Sequence, residues 1–264
     1  MRLTLAACAV WLAVARVASA QTASSFDHVD IATPDLETGK AWYVAHLGGR
    51  LDSRPDHVWF GKTWFVVLLK SSTAKPSAQG PVHHLAFSYR DVDAKVKELV
   101  AAGSKVVTPA HNVRGWFKTA VVDDPNGLRI ELVEDPAVTG FHHVHLSVAD
   151  PDAASKWFLK VLGGTPTRLK NQSGIQYGDV TMLIEKGAPS VPSLGSVLDH
   201  MAFRTAKANY DGLVADLKSM NTKFDQAPFS YKVGTIAGTS GKVQGPEAIQ
   251  IEVLERAPNY EPPN

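Results

Sequence analysis

The sequence predicts an α+β fold in which four βαβββ modules pair into two domains with cupped, mixed sheets. Three observations predict it. The chain resembles itself at long range. Each repeat opens with a short alternating strand that leads into an amphipathic helix. Polar or Pro/Gly-rich stretches, namely SSTAKPSAQG, EDPAVTG and GAPSVPSLGS, separate the repeats.

The repeat is read residue by residue. FDHVDIATPDLETGKAWYVAHLGG, from Phe26, is echoed by FHHVHLSVADPDAASKWFLKVLGG, from Phe141. His28 matches His143, Trp42 matches Trp157 and Gly48 matches Gly163, all at one spacing of 115 positions. HHLAFSYRDVDAKVKELVAAGSKV, from His83, resembles DHMAFRTAKANYDGLVADLKSMNTKF, from Asp199. The closing strands DPNGLRIELVE, from Asp124, and GPEAIQIEVLE, from Gly245, also correspond.

In each module the alternating opening is a strand and the following run is a helix, as in Leu36–Leu47 and Val92–Ala102, ending near Gly48 and Gly103. Further strands follow, such as Thr63–Leu69, Thr119–Val122 and Leu128–Val133. A sheet of this size has one face under its helix and one face bare, so modules must pair. The predicted domains are residues 26–137 and 141–257.

Composition narrows the function. Lys+Arg 27 against Asp+Glu 26 leaves no broad basic face for nucleic acid and no acidic tail. The single cysteine, Cys8, excludes an internal disulfide and a cysteine-rich zinc site. Residues 1–20 read as a secretory signal: Arg2, an apolar stretch from Leu3 to Ala15, then Ala18-Ser19-Ala20 before Gln21. The expected product is periplasmic or secreted, not held in a membrane after cleavage. No Gly-rich phosphate loop and no Gly-x-Ser-x-Gly elbow is present.

The openings DHV, HHLAF, HHVHL and DHMAF, in register with the closings IELVE and IEVLE, resemble the vicinal oxygen chelate superfamily. That superfamily includes glyoxalase I, fosfomycin- and bleomycin-resistance proteins and extradiol dioxygenases. The resemblance covers nearly all of the chain after the signal. It implies a divalent metal held at matching strand positions and a small substrate that chelates it through vicinal oxygens.

Strand alternation selects the residues. Side chains at i and i+2 share a face. If Val29 and Ile31 pack under a helix, His28 and Asp30 line the opposite, concave face. The same count places His84 with Ala86 and Ser88, His143 with His145, His200 with Ala202 and Arg204, and Glu131 with Arg129. Glu252 follows Glu131 by repeat.

The predicted metal sites are therefore His28, His84 and Glu131 in the first domain and His143, His200 and Glu252 in the second. Two imidazoles and one carboxylate suit Fe(II), Mn(II) or Zn(II) and leave coordination positions open. The fourth ligand that some relatives use would fall at Val67 and at Met182 or Leu183, which are apolar. Asp30 and His145, two residues beyond a ligand, are the candidates for acid–base or supporting roles.

His83 and His142 are expected on the opposite face, and Trp42 and Trp157 in the core. His46, His57 and His111 have no repeat partner.

Two functions compete. One is a metal-dependent enzyme, dioxygenase-like in its open three-ligand site, or a lyase or isomerase like glyoxalase I. The other is a metal-free binding protein of the drug-sequestering type, for which Trp59, Phe60, Trp64, Trp116 and Phe117 would supply an aromatic lining.

Overall fold

A computed structural model describes residues 24–61, 64–233 and 236–256. Residues 1–20, expected to be a signal, and the C-terminal tail lie outside them. Among the described residues no helix is long and apolar enough to cross a membrane.

The first module comprises β1 (Ser25–Thr33), α1 (Leu36–Leu47), β2 (His57–Trp59) and β3 (Phe65–Lys70). The second comprises β4 (Val82–Ser88), α2 (Val92–Ala101), β5 (Lys105–Asn112), β6 (Lys118–Asp123) and β7 (Arg129–Val133). The third comprises β8 (Gly140–Val148), α3 (Pro151–Leu162), β9 (Thr165–Leu169), β10 (Gln172–Tyr177) and β11 (Val180–Lys186). The fourth comprises β12 (Leu198–Arg204), α4 (Lys207–Ser219), β13 (Phe224–Val233), β14 (Ile236–Gln244) and β15 (Gln250–Arg256). Three modules are βαβββ as expected. The first shows two strands after its helix among the described residues.

Helix starts are fixed locally. Asp35, Asp91 and Asp150 each leave extended backbone and accept from the amide three residues on, at 2.7, 2.8 and 2.9 Å. Gly48 closes α1 at φ 77°, a left-handed conformation that a side chain would strain. In α1 the residues facing the sheet are Gly39, Tyr43 and Leu47, four apart. Trp42, expected in the core, is half-buried and donates its indole N–H to the Ala102 carbonyl at 3.0 Å. Trp157 is likewise half-buried, because Phe158 takes the inward position.

The largest departure from expectation is in module pairing. One sheet runs β13-β14-β15-β12-β1-β3-β2 and the other β5-β6-β7-β4-β8-β11-β10-β9. Both are open. The first module therefore pairs with the fourth, through antiparallel β1 and β12, and the second with the third, through antiparallel β4 and β8.

Segments 26–137 and 141–257 each contribute to both sheets, so neither builds a cup alone. The local pattern is common to all four modules and cannot choose between partners. The central strand pair decides.

Alternation otherwise holds. Val29, Ile31, Leu85, Phe87, Val144, Leu146, Met201, Phe203, Ile130, Leu132, Ile251 and Val253 all enter one buried core. Aromatic edges knit the two sheets there, with Phe158 and Tyr177 of the third module against Phe203 of the fourth, and Trp64 of the first against Phe141. The opposite faces of the sheets carry the polar side chains.

Candidate metal centres

Each sheet gathers two histidines and a glutamate from three strands onto its concave face. In the first cup these are His28 of β1, His200 of β12 and Glu252 of β15. In the second they are His143 of β8, His84 of β4 and Glu131 of β7.

All six predicted ligands lie in cups, but the predicted triads are redistributed. His84 and Glu131 belong with His143, and His200 and Glu252 with His28, because the modules pair across the two halves of the chain.

The distances suit a shared ion. Bonds of about 2.0–2.2 Å place neighbouring ligand atoms about 3 Å or slightly more apart. In the first cup Glu252 Oε2 lies 3.2 Å from His200 Nε2 and 3.5 Å from His28 Nε2. In the second, Glu131 Oε2 lies 3.4 Å from His84 Nε2 and 3.3 Å from His143 Nε2.

The donor atoms await a partner. His84 Nε2, His143 Nε2 and both ring nitrogens of His145 are buried without a hydrogen bond, as is Asp30 Oδ1. Buried polar atoms are rarely left so, and in the second cup one ligand atom from each of His84, Glu131, His143 and His145 lies within 4.8 Å of the others. The donor sets fit a divalent cation.

The other oxygen of each glutamate is tied down. Ser240 Oγ donates to Glu252 Oε1 at 2.5 Å, and Thr119 Oγ1 to Glu131 Oε1 at 2.7 Å. Trp116 adds a second donor to Glu131 at 3.0 Å.

The residues preceding the histidines hold them in place, which simple alternation did not predict. Asp27, His83, His142 and Asp199 are each the unpaired extra residue of a β-bulge in the central strand pairs. A bulge breaks the two-residue period and turns the extra side chain toward its neighbour. His83 and His142, expected to face away, therefore contact the ligands.

His28 Nδ1 donates to Asp27 at 2.7 Å and His200 Nδ1 to Asp199 at 2.8 Å, leaving each Nε2 directed into the cup. His83 and His84 are hydrogen-bonded through Nδ1 atoms 2.8 Å apart, and His142 and His143 likewise at 2.7 Å. His142 Nε2 also reaches Asp135 at 3.3 Å. With that nitrogen donating, neutral His142 accepts at Nδ1 from His143, whose Nε2 lone pair then faces Glu131.

The electrostatics of the cups diverge. Burial opposes the charged form of His28, but the hydrogen bonds to Asp27 and Glu252 and the charge of Asp30 outweigh it and raise its pKa to about 9. His200 is also raised: burial opposes it, while Asp30, Asp199 and Glu252 prevail. In the second cup burial wins, and His143 falls to about 3 despite Glu131. His84 is lowered by burial and by neighbouring His145.

Burial would raise Glu131 and Glu252, yet the two imidazoles beside each drive both far below the usual carboxylate range. Asp27 behaves similarly: burial opposes ionisation, and His28 together with Arg256, 2.7 Å away, overcomes it.

The candidate acid–base residues lie where predicted. Asp30 sits 3.3 Å from His28 Nε2 and 3.4 Å from His200 Nε2. Burial raises its pKa against the pull of both imidazoles. His145 stacks 4.5 Å from His84 between ring centroids and reaches Glu185 at 3.5 Å. Val67 borders the first cavity while Met182 and Leu183 are buried, so none offers a ligand.

Each centre opens into a cavity. That of the first cup, about 260 Å³, is bordered by Asp30, Arg54, His57, Tyr231 and Arg256. That of the second, about 360 Å³, is bordered by Trp116, Arg129, His145 and Glu185. His57 had no repeat partner and so no sequence signal. It stacks on Phe65, 4.6 Å between centroids, and Phe65 stacks on His28 at 5.1 Å.

The aromatics proposed for a binding cup are dispersed. Trp59 and Trp64 are buried, and Trp116 alone among the five named borders either of these cavities.

Two sheets of paired βαβ-type modules, each with a His/Glu cluster in its concavity, define a class of cupped α+β folds with candidate metal sites. The chain belongs to the Glyoxalase/Bleomycin resistance protein/Dioxygenase superfamily, whose description matches residues 25–132 and 140–253.

It is 23% identical over 253 residues to the protein named "Putative glyoxylase CFP32" from Mycobacterium bovis and Mycobacterium tuberculosis, covering 87% of this chain and 94% of that one. In structure it is similar to glyoxalase I from Zea mays, with TM-score 0.64 and 17% identity over 88% of this chain and 92% of that one. It is also similar to a "putative dioxygenase" from Bacillus subtilis, with TM-score 0.59 and 15% identity over 93% and 87%.

Proposed function

We propose that the protein is an exported, metal-dependent enzyme that binds a small substrate with vicinal oxygens at the His28/His200/Glu252 centre and moves a proton on it. The observation that carries this reading is the buried carboxylate of Asp30, within 3.4 Å of both imidazoles and bordering the same cavity as all three groups except His200.

A bound divalent ion supplies Lewis acidity there, favouring the anion form of a chelated hydroxycarbonyl. Asp30 is placed to accept a proton from the carbon beside the chelated oxygen, and its raised pKa moves it toward the range useful for a general base near neutrality. Asp27 and Asp199 hold the imidazoles in the tautomer that presents Nε2. Arg54 and Arg256 border the cavity, paired with Asp52 and Asp27 respectively.

A ring-cleaving dioxygenase is the second reading. It is favoured by a three-ligand centre with open positions and by His57 and Tyr231 at the cavity wall.

Hydroxyacetone in D₂O separates the readings. Metal-dependent exchange of the carbon-bound protons, lost in Asp30→Asn, supports proton transfer. Metal-dependent oxygen uptake with catechol supports ring cleavage. A purified protein that binds no divalent ion in either cup would return it to the metal-free binding class. Export predicts a mature chain beginning at Gln21, checked by N-terminal sequencing of the periplasmic or secreted product.

A further inference from the structure

The two cups are related by the repeat, yet the repeat substitutes their chemistry in a consistent way. Asp30 of β1 corresponds to His145 of β8, at the same spacing that relates His28 to His143. Asp30 opposes His200 across the strand pair, and His145 opposes His84. The residues behind the ligands follow the same division: Asp27 and Asp199 in the first cup, His83 and His142 in the second. Four carboxylates thus surround the first centre. The second holds five imidazoles and Glu131, with Glu185 at its edge.

The geometry points to two metal centres of different selectivity in one chain: a hard centre at His28, His200 and Glu252, ringed by the carboxylates of Asp27, Asp30 and Asp199, and a nitrogen-rich centre at His84, His143, His145 and Glu131. The inference rests on the metal-dependent reading above.

Its physical basis is ligand hardness. Carboxylates suit Mn(II) and similar hard ions, and imidazoles suit Zn(II), Ni(II) and Cu(II). Zn(II) exceeds Mn(II) in raw affinity at most such sites, so the expected signature is a difference in preference.

In the first cup, carboxylates behind the ligands add negative charge and basicity to the imidazoles. In the second, every nitrogen of His145 and the Nε2 atoms of His84 and His143 are buried without a hydrogen bond, so three donors are presented to one ion beside Glu131 Oε2. Asp30 Oδ1 is the matching unsatisfied atom of the first cup.

The test uses metal affinity, not turnover. The His84→Ala/His143→Ala chain leaves only the first centre, and the His28→Ala/His200→Ala chain only the second. Each is stripped with chelator and titrated with Mn(II) alone and Zn(II) alone, with circular dichroism to verify folding. The preference for Zn(II) over Mn(II) should be larger in the second centre by about tenfold or more.

In the otherwise unaltered chain, Asp30→His should weaken the Mn(II) resonance signal of the first centre. His145→Asp should lower bound Zn(II) toward one per chain under limiting metal. These single exchanges keep the test open if a double variant does not fold.

Equal preference in the two centres, or no response to either exchange, overturns the inference while leaving a metal-dependent protein. Failure of both centres to bind any divalent ion overturns the functional reading as well.

Discussion

The first and second cups start from the same sequence pattern and arrive at opposite electrostatic states. His28 and His143 are repeat equivalents, each two strands from a glutamate that it touches, at 3.5 and 3.3 Å. Yet the first is raised to about 9 and the second lowered to about 3. Burial opposes the imidazolium in both.

The difference comes from the bulged neighbour. Asp27 accepts from His28 and stabilises its charge, whereas His142 offers His143 a neutral ring. The bulged neighbour acts together with the residue two beyond the ligand, Asp30 in one cup and His145 in the other, in setting the charge of the imidazoles without metal. A repeat can conserve ligand geometry while changing what the ligands do.

The largest expected effect breaks the comparison at its root, the pairing of modules. His28→Ala and His200→Ala should each lower metal affinity of the same centre by orders of magnitude, and the double variant should lose no more metal than either alone. His28→Ala combined with His84→Ala should empty both centres. Metal content per chain checks this. A double variant His28→Ala/His200→Ala that loses twice the metal of either single change would restore the pairing expected from sequence order.

A smaller effect sharpens the role of the bulged neighbours. Asp27→Asn and Asp199→Asn should each weaken the first centre by about 10- to 100-fold and leave the second unchanged, as read by chelator competition. An equal loss in both centres would mean that these aspartates stabilise the fold as a whole.

The third expectation concerns the pH dependence of the metal-free protein. His28 is raised from 6.5 to about 9, so its stabilising contribution is complete below pH 6.5 and is lost as pH rises through about 9. His143 is depressed to about 3, so it costs nothing above pH 6.5 and increasingly destabilises as pH falls from 6.5 toward 3. Thermal unfolding across pH should show both declines. His28→Gln should flatten the alkaline one and His143→Gln the acidic one. A profile unaltered by either change contradicts the contrast between the cups.

The smallest effect tests how the modules lock together outside the cups. Tyr43 of α1 donates to Asp124 Oδ2 at 2.7 Å, in the turn before β7, and both groups are buried. Tyr43→Phe should cost about 1 kcal/mol, because Asp124 keeps the amides of Asn126 and Leu128. Chemical unfolding measures it.

Much of the site was legible without the fold. The helix starts at Leu36 and Val92, the inward Val29 and Ile31, and the cup-facing His28, Asp30, Glu131 and Glu252 all follow from local rules, because a strand's alternation and a helix's first turn are settled within a few residues.

The positions of His83 and His142 did not follow, since a bulge breaks the period that the argument uses. His57 reaches the first cavity from β2, whose counterpart β10 carries no histidine. Trp42 lost the core position to Tyr43 because both flank the helix face and one residue of rotation separates inside from edge.

The sequence by itself determined four modules and six cup-facing candidate ligand positions, because these depend on interactions between near neighbours in the chain. Only the tertiary structure decided which of these candidates share a cup. All four opening strands present the same face pattern, so pairing of first with second or first with fourth module satisfies every local rule equally. The choice falls to the β1–β12 and β4–β8 contacts between residues far apart in the chain. One signal was nonetheless present: the residue before each histidine is Asp in the first and fourth modules and His in the second and third. Its meaning appears only once bulges bring like residues into one cup.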